Sequence, residues 1–195
     1  SIAFGIPLQF EKVFTEGITE ITREDVNYAE ELGYRIKHLG IARKTEAGVE
    51  LRVHPTLIPH RRLIANVDGV MNAVLVQGDA VGATVYYGAG AGAEPTASAV
   101  VADVVDDVRA LTTDPENHVP HLAFQSNSIA DIPILASEDI KTAYYLRLNA
   151  EDKPGVLAEV TRILAEHHIS IEAIIQKEPH RGTTKLSIIM LTQTT

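Results

Sequence analysis

Two short stretches in the chain place residues where backbone groups could do chemistry. The first is Gly88-Ala89-Gly90-Ala91-Gly92-Ala93-Glu94-Pro95-Thr96-Ala97-Ser98, in which three glycines alternate between a strand pattern and a helix pattern. Glycine has no Cβ, so its backbone N–H can come close to a ligand. A helix start behind the glycines adds N–H donors without intrahelical acceptors and a partial positive charge. Together these suit an anion, and a phosphate is the usual occupant. The spacing is not G-x-G-x-x-G, and no acidic residue follows in a strand about 20 residues on. Taken alone, the stretch reads equally as a tight strand-to-helix corner whose glycines only allow close packing. The second stretch is Asn149-Ala150-Glu151-Asp152-Lys153-Pro154-Gly155-Val156-Leu157. Here a strand pattern ends, a polar turn follows, and Pro154 is expected near the first position of a helix. The N–H groups of such a turn suit a carboxylate, although an ordinary capped helix start has the same residues.

The side chains offer less. There is no cysteine, which excludes disulfides, thiolate chemistry and thiolate-bound zinc. Of the eight histidines, His38 falls in a strand pattern, His54 precedes Pro55, and His167-His168 close a helix, where the dipole favours a cation. No pair has the i, i+4 spacing of a zinc site with an accompanying glutamate, so structural or surface roles are expected and no metal. Lys12 reads as a solvated lysine and Glu16 as a residue that orients the following loop; neither is assigned chemistry.

The 195 residues are 45% hydrophobic and 22% charged, the balance of one or two globular domains. A net charge of -9 repels phosphate backbones and anionic surfaces, so neither nucleic acid nor membrane is an expected partner. No apolar run approaches the roughly 20 residues of a membrane helix. The composition suits a cytoplasmic protein. The opening Ser1-Ile2-Ala3-Phe4-Gly5 has no basic leader and reads as the last turn of a helix begun upstream.

The elements that must position the two turns follow from periodicity. Thr22-Arg23-Glu24-Asp25 is a capping-box-like start, Val26, Ala29 and Leu32 follow at helical spacing, and Gly33 is a natural stop. Residues 34–43 and 49–58 read as a hairpin around Lys44 to Gly48, and residues 70–76 and 83–87 as two further strands. A long helix is expected over 95–111, with Ala97, Val100, Val101, Val104, Val105 and Val108 on one face and Asp103, Asp106 and Asp107 on the other. Residues 112–139 lose periodicity and carry Pro115, Pro120 and Pro133. They read as an inter-domain linker, partly packed through the apolar patches 122–124 and 132–135. Strand, helix, strand, strand then follow, with Tyr144, Leu146 and Leu148 alternating, a helix over 154–167, and strands through Ile169 to Ile175 and Leu186 to Met190. The expected class is α/β (α+β): mainly antiparallel sheet with covering helices, then a β-α-β-β unit.

Several blocks resemble a known family. They are Glu16-Gly17-Ile18, Asp25, Ala29, Leu32-Gly33-Tyr34, Val53-His54-Pro55 with Leu57-Ile58, Asn66 to Ala73, Gly78 to Gly82, and the glycine turn with Pro95 to Val100 and Asp103. In this order, across residues 1–111, they are similar to the homoserine dehydrogenases. The resemblance implies the end of that family's catalytic and dimerisation region. It implies NAD(P)H-dependent interconversion of L-aspartate 4-semialdehyde and L-homoserine, in the biosynthesis of threonine, methionine and isoleucine. It also implies a glycine turn that contacts the nicotinamide cofactor, through Gly92 first and Gly90 next. The family's dinucleotide-binding fold, catalytic lysine and substrate-binding acidic residues would lie before Ser1, so no catalytic residue is assigned here and the chain by itself is expected to be inactive.

The turn 149–157 resembles the D-x-P-G-x-L ligand element of ACT domains, and Ile169 to Ile174 the strand after it. The resemblance implies a ferredoxin-like β-α-β-β-α-β regulatory domain over 140–195, here ending after its third strand. It implies threonine as effector and a homo-oligomer, dimer or tetramer. Threonine's carboxylate would lie over the N–H groups of Gly155, Val156 and Leu157, with Asp152 taking the ammonium and Ile169 and Ile171 forming an apolar wall. A stand-alone amino-acid-binding regulator, or a dimerisation module, is the competing reading. It has no need of the glycine turn and its flanking blocks.

Overall fold

The computed structural model describes residues 3–112, 124, 126–151, 153–177 and 185–194. The first sheet forms where the hairpin pattern places it. Strand β2 (Tyr34–Lys44) pairs antiparallel with β3 (Val49–Pro59), and the short β1 (Phe14–Thr15) adds in parallel on the other side of β3. The sequence gives no sign of β1, because two residues show no periodicity. The helix α1 (Arg23–Glu31) starts on the expected capping box. The Thr22 hydroxyl accepts from the Asp25 N–H at 3.3 Å, and the Asp25 carboxylate accepts from the Thr22 N–H at 2.8 Å. Gly33 ends it with φ of 81°, a left-handed conformation that glycine adopts without Cβ strain.

A separate two-stranded ribbon, β4 (Met71–Gly78) with β5 (Gly82–Ala89), delivers the chain to α2 (Ala93–Thr112). This helix has the expected valine stripe but buries none of its residues, and Val100, Val101, Val104, Val105 and Val108 are all exposed. The ribbon likewise exposes Val74, Leu75, Val76, Tyr86 and Tyr87.

The segment after α2 packs on the first sheet. Val49 donates to Pro133 O at 2.9 Å and Leu135 to Val49 O at 3.0 Å, a parallel bridge centred on Ile134. Ala130 donates to Gly5 O at 2.8 Å, and Phe124 lies so close to Gly5 that a Cβ there would be 2.9 Å from its ring. The apolar patch at 132–135 therefore packs as expected. Leu122, Pro115 and Pro120 lie outside the described residues.

The last unit is a three-stranded antiparallel sheet, β6 (Tyr145–Glu151), β8 (Lys185–Thr192) and β7 (Ile171–Gln176) in that spatial order, with α3 (Val156–Glu166) across one face. First, third, second is the order that the β-α-β-β part of a ferredoxin-like fold gives. Leu186, Ile188 and Met190 pack under α3 against Leu146, Leu148, Val156, Leu157, Val160, Leu164 and Ile171. Ile189 and Leu191 point to the opposite face and are buried as well. Strand β8 is thus covered on both sides, by α3 on one and by the first part of the chain on the other.

Candidate functional site

The glycine turn joins β5 to α2 and is open to solvent. Gly90 donates to Val70 O at 3.3 Å, and a Cβ at Gly90 would come within 2.2 Å of Asn72 Nδ2. A side chain there would have to displace Asn72. Gly92 has φ of 121°, again a conformation that favours glycine, and its carbonyl accepts from Thr96 N at 3.2 Å to open the helix. The helix begins at Ala93, two residues earlier than the sequence suggests, so Pro95 lies inside its first turn, where a missing N–H costs no hydrogen bond. The N–H groups of Ala93 and Glu94 have no acceptor among the described residues. This is an accessible helix N-terminus framed by glycines, the geometry for an anionic group.

The second turn follows β6. Gly155 is the N-cap of α3 with φ of 96°, and nothing lies within 4 Å of where its Cβ would be. Pro154 precedes the cap, outside the helix, which corrects the expected placement near the first helical position. The Val156 N–H is also not open as expected, since it donates to Lys153 O at 3.4 Å. The Leu157 N–H has no acceptor among the described residues. Asp152 lies outside them. Ile171 opens β7 and packs in the core under α3, while Ile169 stands two residues before the strand and is half-buried. An apolar wall from Ile171 is therefore shared with the core.

Between the two parts of the chain lies a third feature. Asp25 is only 2% exposed, and its two oxygens have different partners. Oδ2 accepts from the Thr22 N–H at 2.8 Å and the Thr22 hydroxyl at 2.6 Å. Oδ1 accepts from the Tyr145 hydroxyl at 2.7 Å and pairs with Arg147 Nε at 3.0 Å. Burial alone would push this carboxyl up, but the Thr22 and Tyr145 hydrogen bonds and the Arg147 charge outweigh it and hold the carboxyl below its usual range. Burial and the hydrogen bond to Asp25 push the Tyr145 hydroxyl far up. Farther along, the Tyr34 hydroxyl donates to Glu172 at 2.8 Å, and Lys177 pairs with Glu31 and lies 4.9 Å over the Tyr28 ring. Beside these contacts is a cleft of about 620 Å³, lined among others by Phe14, Arg52, His54, Tyr34, Tyr145 and Glu172. Sequence reading singled out Asp25 only as a capping and family-block residue, and it missed Tyr145 and Arg147. The capping box accounts for Asp25 locally, and nothing in the local pattern marks its other oxygen.

The histidines do not converge. His38 Nε2 lies 3.0 Å from Glu16 O, and His54 Nδ1 lies 2.8 Å from Pro55 O. No cluster of histidine and carboxylate residues suited to a metal occurs among the described residues. Lys12 is engaged by Gln9 at 2.6 Å. No helix among the described residues is long and apolar enough to cross a membrane.

Comparison with known proteins accounts for both halves. Residues 1–105 match the model of the homoserine dehydrogenase family, and residues 144–194 match that of the ACT domain. A homoserine dehydrogenase from Pseudomonas aeruginosa is 66% identical over 192 residues, 98% of this chain and 44% of the relative. One from Neisseria gonorrhoeae is 54% identical over 195 residues, 100% of this chain and 45% of the relative. The crystal structure of a homoserine dehydrogenase from Thiobacillus denitrificans superposes with a TM-score of 0.90 at 68% identity, covering 100% of this chain and 43% of that one. The chain therefore spans less than half the length of these relatives. The match over residues 1–105 removes the ground for reading it as a free-standing ACT regulator.

Proposed function

The chain belongs to the homoserine dehydrogenase family, and from that membership we propose that the protein it forms part of interconverts L-aspartate 4-semialdehyde and L-homoserine with NAD(P)H. Gly92 and Gly90 lie at the cofactor, threonine binds at the turn 149–157, and the protein works in the cytoplasm as a homo-oligomer. The domain division is 1–111 for the dehydrogenase part, 112–139 for the connection and 140–195 for the ACT part. The observation that carries the enzymatic reading is the pairing of the open glycine turn with the uncovered valine face of α2 behind it. Five exposed valines on one long helix call for a partner surface. A nucleotide-binding domain packed there would set its dinucleotide beside Gly92. Bound there, the cofactor would supply the hydride, and the chain's own part would be to hold it: glycines that let the backbone approach, and the start of α2 that offers N–H groups to an anionic or polar edge.

The regulatory reading rests on the N-cap of α3, where the empty space over Gly155 leaves room for a carboxylate. The test is made on the full-length protein. NADPH oxidation should depend on aspartate semialdehyde, and added threonine should inhibit it. A full-length protein without semialdehyde-dependent oxidation contradicts the enzymatic reading, and insensitivity to threonine contradicts the regulatory one.

A further inference from the structure

We propose that the contact between α1 and the outer face of the ACT sheet couples the effector turn to the dehydrogenase part, with Tyr145 and Arg147 as positioning residues that act through Asp25. This rests on the reading that the turn 149–157 binds threonine. Tyr145 and Arg147 alternate on one face of β6 and both reach Oδ1 of Asp25, while Oδ2 caps the start of α1. One buried carboxylate therefore fixes both the helix start in one domain and a strand in the other. The same strand runs on into the effector turn. Arg147 is two residues from Asn149, about 7 Å at the rise of a strand. A ligand seated over Gly155 that displaces the end of β6 must move these donors relative to Asp25.

The far end of α1 is tied as well. Glu31 pairs with Lys177, just beyond β7, and Tyr34, the first residue of β2, donates to Glu172 in β7. Helix α1 is thus held by β6 at its start and by β7 at its end, and it leads directly into the first sheet through Gly33. Ile189 and Leu191, fully or nearly buried on the face of β8 beside Tyr145 and Arg147, keep water from much of this contact. A charged pair in such surroundings is sensitive to small displacements, because a lost partner leaves a buried charge unmet. The adjoining cleft of about 620 Å³ leaves the two domains room to shift. A ligand changes a distant site only if the two arrangements bind it differently. The arrangements here are a clasp with Oδ1 fully engaged and one with it partly released.

The experiment uses full-length protein carrying Tyr145→Phe, which removes one hydroxyl, and in parallel Lys177→Gln, which loosens the other end. Threonine binding is measured by calorimetry, and threonine inhibition by NADPH oxidation. The expected result is a split. Tyr145→Phe binds threonine with nearly the unmodified Kd, keeps its uninhibited kcat, and needs about tenfold more threonine for half-inhibition or reaches only partial inhibition, within the usual range of allosteric coupling. Lys177→Gln moves in the same direction by less. Unchanged inhibition in both variants overturns the proposal. So does loss of threonine binding, of uninhibited activity or of folding in both, since the contact would then be only structural. If unmodified protein binds no threonine, the effector reading falls and the coupling falls with it. Threonine binding with the same inhibition curve in the unmodified protein and both variants rejects the coupling alone.

Discussion

At the scale of the residue, Asp25 and the glycines make the sharpest predictions. The folded Asp25 carboxyl ionises at lower pH than an unfolded one, which titrates at about 4. The unfolded chain therefore binds this proton more readily. The stabilisation is complete above the unfolded value and is lost as pH falls through the lower folded one. Asp25→Asn should lower stability near neutral pH by about 2 kcal/mol and flatten the acid side of the stability curve. Urea midpoints taken across the acid range for both proteins check this, and parallel curves would exclude the carboxylate as the source. Gly92 has φ of 121°, so Gly92→Ala strains the turn by about 1–2 kcal/mol as well as placing a methyl at the proposed cofactor seat. In the full-length protein it should raise KM for NADPH several-fold while leaving the Kd for threonine unchanged. An unaltered KM would move the cofactor away from this turn. Gly155→Asp adds both left-handed strain and a negative charge at the proposed seat of the effector carboxylate. Threonine inhibition, measured against that variant's own uninhibited rate, should be lost.

At the scale of the element, α1 and α2 contrast. The capping box and Gly33 define α1 at both ends, and its boundaries are legible from Thr22, Asp25 and Gly33 because each acts within a few residues. The period of α2 is equally legible in Val100, Val104 and Val108, but its burial is not, since a stripe says that a face is apolar and not what covers it. If another domain covers it in the longer protein, Val104→Asp should cost about 2 kcal/mol there by thermal or urea unfolding. An exposed face would lose less than about 0.5 kcal/mol. The two-residue β1 and the bridge at Ile134 escaped sequence reading, because both depend on the edge of β3 rather than on any local pattern.

At the scale of the whole molecule, the chain is a dehydrogenase-family sheet and helix set joined to an ACT sheet through a buried ionic contact. It covers 44% of its Pseudomonas aeruginosa relative. Positioning and proton donation contribute several orders of magnitude to hydride transfer. Purified 195-residue chain should therefore show no semialdehyde-dependent NADPH oxidation, and measurable turnover would mean that the catalytic groups lie within these residues. The exposed ribbon β4–β5 and the edge of β6 each offer unpaired backbone and apolar side chains. Self-association at tens of micromolar is expected by sedimentation, about the range in which such interfaces form. A clean monomer would place oligomer contacts elsewhere.

The sequence by itself determined the order and kind of the main elements, the two glycine-bearing turns, and the resemblance that relates them to an enzyme and a sensor. These are local properties: periodicity, capping residues, and glycines at turns. Only the tertiary structure decided that Gly90 has no room for a side chain beside Asn72, that Val156 N–H is already engaged by Lys153, and that Ile171 belongs to the core under α3. It alone joined Asp25 to Tyr145 and Arg147, residues some 120 positions apart. A carboxylate has two oxygens and a capping box uses one of them. What the other meets depends on which distant strand the fold brings to it, and no spacing along the chain encodes that.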